Sequence, residues 1–233
     1  MPAPSFSKSS TDRLTLPQVI TVDGPSASGK GTLSRRLAKE FGYIYIDSGA
    51  MYRTLAWWAL RQGISLESPL PAAAEAEVVG LLRRWKAEMR LVDGQGWLHV
   101  ESYFPVTEIR ENAVEHAVPV IAQISKVRDW MVARQRDCVR LGPLVMEGRD
   151  IGTVVFPLAP VKFFLEADEE ERQKRIEGRG GNTSAARRDH MDSTRKKGAL
   201  IPALDSIRVN NTGQTPDETF AILRDHVRSR LGL

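Results

Sequence analysis

Gly24-Pro25-Ser26-Ala27-Ser28-Gly29-Lys30-Gly31-Thr32 follows an apolar run, Val19-Ile20-Thr21-Val22, and leads into a segment with helical character. Glycines allow a backbone to turn its N–H groups inward, and a helix beginning near Gly29 adds the positive end of its dipole. Lys30 is long enough to reach the β- and γ-phosphates of a nucleotide held there. A Gly/Ser-rich turn would have the same composition, but the strand before it and the helix after it favour a cradle for a triphosphate. The expected donor contacts are therefore Gly24, Pro25, Ser26, Ala27, Ser28, Gly29, Lys30, Gly31 and Thr32.

Four further segments carry chemistry. In Asp47-Ser48-Gly49-Ala50-Met51-Tyr52-Arg53, the arginine sits one helical turn beyond a short apolar strand. Glu147-Gly148-Arg149-Asp150 closes another apolar strand, with Glu147 as the acid after it. Arg188, Asp192 and Arg195 are spaced i, i+4, i+7 and share one helix face, and Arg172, Arg175 and Arg179 do the same on the preceding helix. Arginines at strand ends beside a phosphate loop point to phosphate contact, most strongly for Arg53, Arg149 and Arg195.

Charge placement supports this. The chain of 233 residues has a net charge of +4, yet residues 172–197 alone hold nine Lys/Arg against three acids, a local excess above that of the whole chain. That stretch has no Phe, Tyr or Trp to stack bases, so handling of small phosphates explains it better than nucleic acid does. Cys138 is the single cysteine, which excludes an intramolecular disulfide and a cysteine-built zinc site and fits a reducing, cytoplasmic setting. Residues 1–16 are Ser- and Pro-rich without an apolar core; they read as a disordered tail rather than a signal peptide or membrane anchor. His99, His116, His190 and His226 lack metal-ligand spacing, and Cys138 reads as core filler.

The elements that must position these residues alternate. A strand over 18–23 leads through the loop to a helix over 29–41, a short strand over 43–47 and a helix from Ser48 to residue 61. Trp57 and Trp58 point about 100° apart on that helix, and burial accounts for them. Pro69 and Pro71 mark a break before a helical stretch over 72–87. A hairpin then flanks Asp93-Gly94-Gln95-Gly96, with a third short strand expected near 103–106. This excursion marks an insert over about 65–118. One long amphipathic helix over 119–141, a strand at 143–146, another at 161–165 and a helix over 168–177 come next. A last strand at 206–210 precedes Thr215-Pro216-Asp217-Glu218, a capping box with proline at the first helical position. The expected fold is α/β: five parallel strands flanked by helices, one domain over 17–233, with core 17–64 and 119–233 and a short helical segment over about 172–197.

The G-K-G-T form of the loop, with its hydroxyl one place later than usual, resembles nucleoside monophosphate kinases. Together with Asp47 to Arg53, Glu147-Gly148-Arg149-Asp150-Ile151-Gly152-Thr153-Val154-Val155-Phe156-Pro157 and Arg188-Asp189-His190-Met191-Asp192-Ser193-Thr194-Arg195, it resembles the bacterial cytidylate kinases. The resemblance implies phosphoryl transfer from ATP to CMP or dCMP, an acceptor-binding insert after the second strand, and a monomer with no membrane partner. Lys30, Arg149 and Arg195 would be catalytic. Arg175 would join the loop on ATP, and Mg²⁺ would lie by Thr32 and Glu147. Ser48, Arg53 and Arg149 would bind the acceptor phosphate, Arg128 and Asp150 the cytosine, and Arg188 and Asp192 the ribose. By the same resemblance the segment over about 172–197 would be a short helical lid of the kinase domain, shorter than in the common bacterial pattern, and Pro119 stands where many members carry a serine that helps hold the base.

No catalytic base is needed, because a phosphate monoester already presents an anionic oxygen near neutral pH. Alignment and charge neutralisation by Arg, Lys and Mg²⁺ are the remaining tasks. UMP or another small monophosphate is the alternative acceptor; a nucleotide-binding regulatory protein without turnover is the alternative class.

Overall fold

The computed structural model describes residues 18–178, 184–194 and 198–233, and only the backbone of 187 and 188. The tail at 1–16, Arg179, the Arg188 side chain and Arg195 thus lie outside the described residues. In chain order the elements are β1 (Val19–Asp23), α1 (Lys30–Phe41), β2 (Ile44–Asp47), α2 (Ser48–Arg61), α3 (Ala72–Arg84), β3 (Glu88–Val92), β4 (Gln95–His99), α4 (Asn112–Ile121), α5 (Ser125–Asp137), β5 (Leu144–Gly148), β6 (Val161–Glu166), α6 (Glu169–Glu177), α7 (Ala185–Ser193), β7 (Ile207–Asn210) and α8 (Pro216–Leu231).

Seven strands form one sheet in the order β3-β4-β2-β5-β1-β6-β7. The five strands expected to be parallel are so, with β1 between β5 and β6 and all five residues of β1 and β5 buried. Apolar residues on one sheet face pack beneath α1 and α8, where Leu33, Leu37, Leu223 and Val227 are buried. Those on the other face pack against α2 to α5, through Leu55, Val78, Ile121 and Met131. Burial on both faces is why β1 and β5 are near-continuous apolar runs rather than alternating ones.

The count exceeds five because the hairpin of the insert joins the sheet: β4 runs parallel to β2, and β3 pairs antiparallel to β4 at the edge. Its turn is tighter than the sequence suggests, with only Asp93 (φ 50°) and Gly94 (φ 74°) between the strands, both left-handed as a two-residue hairpin requires. The expected third strand near Tyr103 reduces to a single bridge between Val100 and Tyr103.

A second correction concerns the helix over 119–141. Pro119 lies inside α4, late in its course, and the chain breaks at Ala122 to Ile124 before α5, which passes into a 3-10 turn at Cys138–Leu141. Proline removes one helical hydrogen bond, a loss α4 sustains so near its end. Trp58 packs on Trp85, and Trp85 stacks on Trp130 at 5.0 Å, so Trp58 belongs to the core beside the insert. Cys138 is buried, and that burial pushes its thiol up to about 12. Thr215 and Glu218 make the reciprocal capping box of α8. Among the described residues no helix is long and apolar enough to cross a membrane.

Candidate active site

The loop between β1 and α1 is shaped from behind. Gly24 leaves β1 at φ 150°, where a Cβ would lie 2.3 Å from the Leu165 carbonyl oxygen of β6. Three successive carbonyls are then bound on the outer side: Arg172 Nη1 donates to Ser26 O at 3.4 Å, Arg175 Nη1 to Ala27 O at 3.4 Å, and Asn211 Nδ2 to Ser28 O at 2.8 Å. C=O and N–H point opposite ways in a planar trans peptide, so carbonyls held outward aim the following N–H groups inward. Gly29, at φ 92°, precedes α1, and no side chain caps that helix among the described residues; its first N–H groups are left for an anion.

Lys30 is buried against this loop. Its ammonium donates to Pro25 O at 2.6 Å. Burial, then the neighbouring Arg149, lowers its pKa to about 7, against the pull of Glu147, Asp192 and Asp23.

Opposite the loop, Asp47 caps α2 by accepting from Ala50 N at 2.9 Å and holds Arg53 Nη2 at 2.6 Å. Burial pushes the Asp47 carboxyl up, but Arg53 and the Ala50 N–H outweigh it and keep it below its usual range. Ser48 abuts the end of β5, since a Cβ on Gly148 would come within 2.5 Å of its Oγ. Glu147 accepts from Tyr45 OH at 2.5 Å and lies beside the loop: a Cβ on Gly31 would stand 2.9 Å from its Oε1. Burial, then Asp47, raises the Glu147 carboxyl.

Arg149 and Asp150 project from the segment after β5. Arg149 Nε donates to Asp192 Oδ2 of α7 at 2.6 Å; burial works against its charge, and Asp192 outweighs that effect. Arg128 of α5 and Asp150 form a buried ion pair. Gly198 packs directly on that pair at φ 65°, leaving no space for a side chain. Below them Asp23 accepts from Ile151 N at 2.9 Å and Gly152 N at 2.7 Å, and burial raises its pKa to about 6.

A cleft of about 530 Å³ opens among these elements at the carboxyl ends of the parallel strands. Ser26, Ala27, Gly29, Lys30, Gly31 and Thr32 line it with Ser48, Arg53, Arg128, Glu147, Arg149, Asp150 and Asp192. Pro119 lines it too, as do Arg110 and Glu115, which the sequence did not single out. Gly24, Pro25 and Ser28 shape the loop instead of lining the cleft. Arg175 reaches the back of the loop and Asn211, whose Oδ1 lies 3.1 Å from its Nη1. The sequence did not single out Asn211, which holds the loop, or Asp23, which holds the segment after Asp150; an Asn after a strand and an Asp ending one are too common to stand out. Arg172 also pairs with Asp189 of α7 at 2.6 Å, linking that helix to the loop.

The sheet order β2-β5-β1-β6-β7, the phosphate loop between β1 and α1, and an arginine-lined cleft at the strand ends define a P-loop phosphotransferase of the nucleotide-kinase class. The family model for cytidylate kinase matches residues 20–229. The cytidylate kinase of Enterococcus faecalis (strain ATCC 700802 / V583) is 36% identical over 225 residues, 91% of this chain and 96% of that one. That of Geobacillus sp. (strain WCH70) is 39% identical over 225 residues, 91% and 97%. The chain belongs to the cytidylate kinase family. A shikimate kinase structure from Acinetobacter baumannii in complex with shikimate superposes at TM-score 0.46 and 14% identity, covering 94% of each chain.

Proposed function

We propose that this protein transfers the γ-phosphoryl group of ATP to the 5′-phosphate of CMP and dCMP, giving ADP with CDP or dCDP, in the cytoplasm. One observation carries the reading: Lys30 of the donor loop, Arg53 and Arg149, and the Arg128–Asp150 pair line the same cleft.

The loop N–H groups and Lys30 hold the donor phosphates. Ser48, Arg53 and Arg149 hold the acceptor phosphate, whose oxygen forms a bond to the γ-phosphorus while the bond to the β–γ bridging oxygen breaks. Arg149 neutralises charge on the group in transit, and Arg195 does so by family resemblance. Cytosine offers an N4 amino donor beside N3 and O2 acceptors, which a carboxylate and a guanidinium complement. Asp150 and Arg128 read the base, while Arg188 and Asp192 serve the ribose.

Mg²⁺ fits this site. The ion commonly keeps waters and binds through one or two protein oxygens plus nucleotide phosphates, and Thr32 and Glu147 on the cleft wall supply such oxygens. When bound, it would supply neutralisation of charge on the donor phosphates.

ADP production, coupled to a dehydrogenase readout, is measured with CMP, dCMP, UMP, AMP and shikimate as acceptors. Turnover with CMP and dCMP ahead of the others is expected. Turnover confined to another acceptor overturns the substrate assignment, and none with any acceptor favours a regulatory nucleotide binder.

A further inference from the structure

The segment bearing Arg149 and Asp150 is fixed at both ends. At its start, Gly148 is in register with Asp23 in the parallel pairing of β5 and β1. Beyond Asp150 the chain turns back, and the first two N–H groups of the π-helical turn Ile151–Val155 reach the two oxygens of Asp23 separately, at 2.9 and 2.7 Å. Asp23 is the last residue of β1, and Gly24 of the phosphate loop follows it. One buried carboxylate therefore joins the strand that launches the donor loop to the segment presenting the acceptor arginine and the base-reading acid. Glycine makes the approach possible, since a Cβ on Gly152 would come within 2.9 Å of Thr21 Oγ1 and 3.3 Å of Asp23 Oδ2.

We infer that Asp23 is a positioning residue for phosphoryl transfer, setting Arg149 and Asp150 at a fixed distance from the donor loop; this rests on the kinase reading above. Its two oxygens each accept one N–H, so the Arg149–Asp150 peptide cannot pivot about a single bond. An amide in its place accepts one N–H and presents its NH₂ to the other, releasing one end of the segment.

Wild-type turnover with CMP is measured first, and its absence would overturn the kinase reading itself. With the wild type active, Asp23→Asn is expected to lower kcat for CMP by about ten- to a hundredfold, the cost of misplacing a reacting group by roughly an ångström. KM for ATP stays within about twofold, because the loop keeps its own supports. In an Arg149→Ala background the further loss is smaller than the single-variant loss, since both changes act through the same arginine. A folded Asp23→Asn protein with unchanged kcat overturns the inference. So does a double variant whose loss is the full product of the two single losses, or a KM for ATP that rises as far as kcat falls. Should Asp23→Asn not fold, Gly152→Ala strains the same contact from the other side and is read by the same criteria.

Discussion

Arg149 Nε lies 2.6 Å from Asp192 Oδ2, joining the segment after β5 to helix α7 across the mouth of the cleft. The guanidinium is held by an acid of α7, and its Nη1 donates to Gly148 O at 3.4 Å. In the proposed reaction, an acceptor phosphate would meet an arginine already oriented. Arg149→Ala is expected to lower kcat by about a hundredfold or more, the loss typical of removing one preorganised charge stabiliser. The circular dichroism spectrum should match that of the wild type, and full activity in the folded variant would refute the role.

The Arg128–Asp150 pair predicts acceptor choice. Asp150→Asn keeps the side chain's shape and removes its negative charge, so preference for cytosine over uracil should shrink. The ratio of kcat/KM for CMP to that for UMP is expected to fall at least about tenfold, within the range of one good polar base contact. An unchanged ratio would remove Asp150 from base reading.

Lys30 predicts a proton linkage. Its pKa falls from 10.5 to about 7 in the folded protein, so at pH 8 much of the free protein carries a neutral amine. Polyphosphate beside the amine favours the charged form, and ATP binding at pH 8 should draw in a proton that binding at pH 6 does not. Calorimetry in buffers of different ionisation enthalpy measures this, and Lys30→Arg should abolish it. The stability sign follows the same shift: between pH 7 and 10.5 the unfolded chain binds more protons at this group, so its contribution to stability rises with pH across that window.

Gly24→Ala tests the floor of the loop. The added Cβ would meet the Leu165 carbonyl oxygen of β6 at 2.3 Å, and a central strand has little freedom to retreat. A loss of about 2 kcal/mol or more is expected from overpacking together with the positive φ. A lower urea midpoint with an unchanged slope would show it; a wild-type midpoint would mean that the loop relaxes away.

Sequence by itself determined what is local. A glycine-rich turn between an apolar run and a helix shows its backbone requirement in residue types, as does the Thr215–Glu218 capping box. The alternating order of strands and helices followed from the same periodicities, places at strand ends brought out Arg53 and Arg149, and the family resemblance brought out Arg128 and Asp150. Tertiary structure decided the partners. Asn211 meets Ser28 O across 183 residues, and Asp23 meets Ile151 N across 128, because β1 lies between β5 and β6 while β7 flanks β6. It also laid the insert's hairpin against β2 and divided the helix expected over 119–141. Such outcomes depend on which edge completes its hydrogen bonds and which buried carbonyl lacks a donor. Those demands arise only once the sheet has formed, and no spacing along the chain records them.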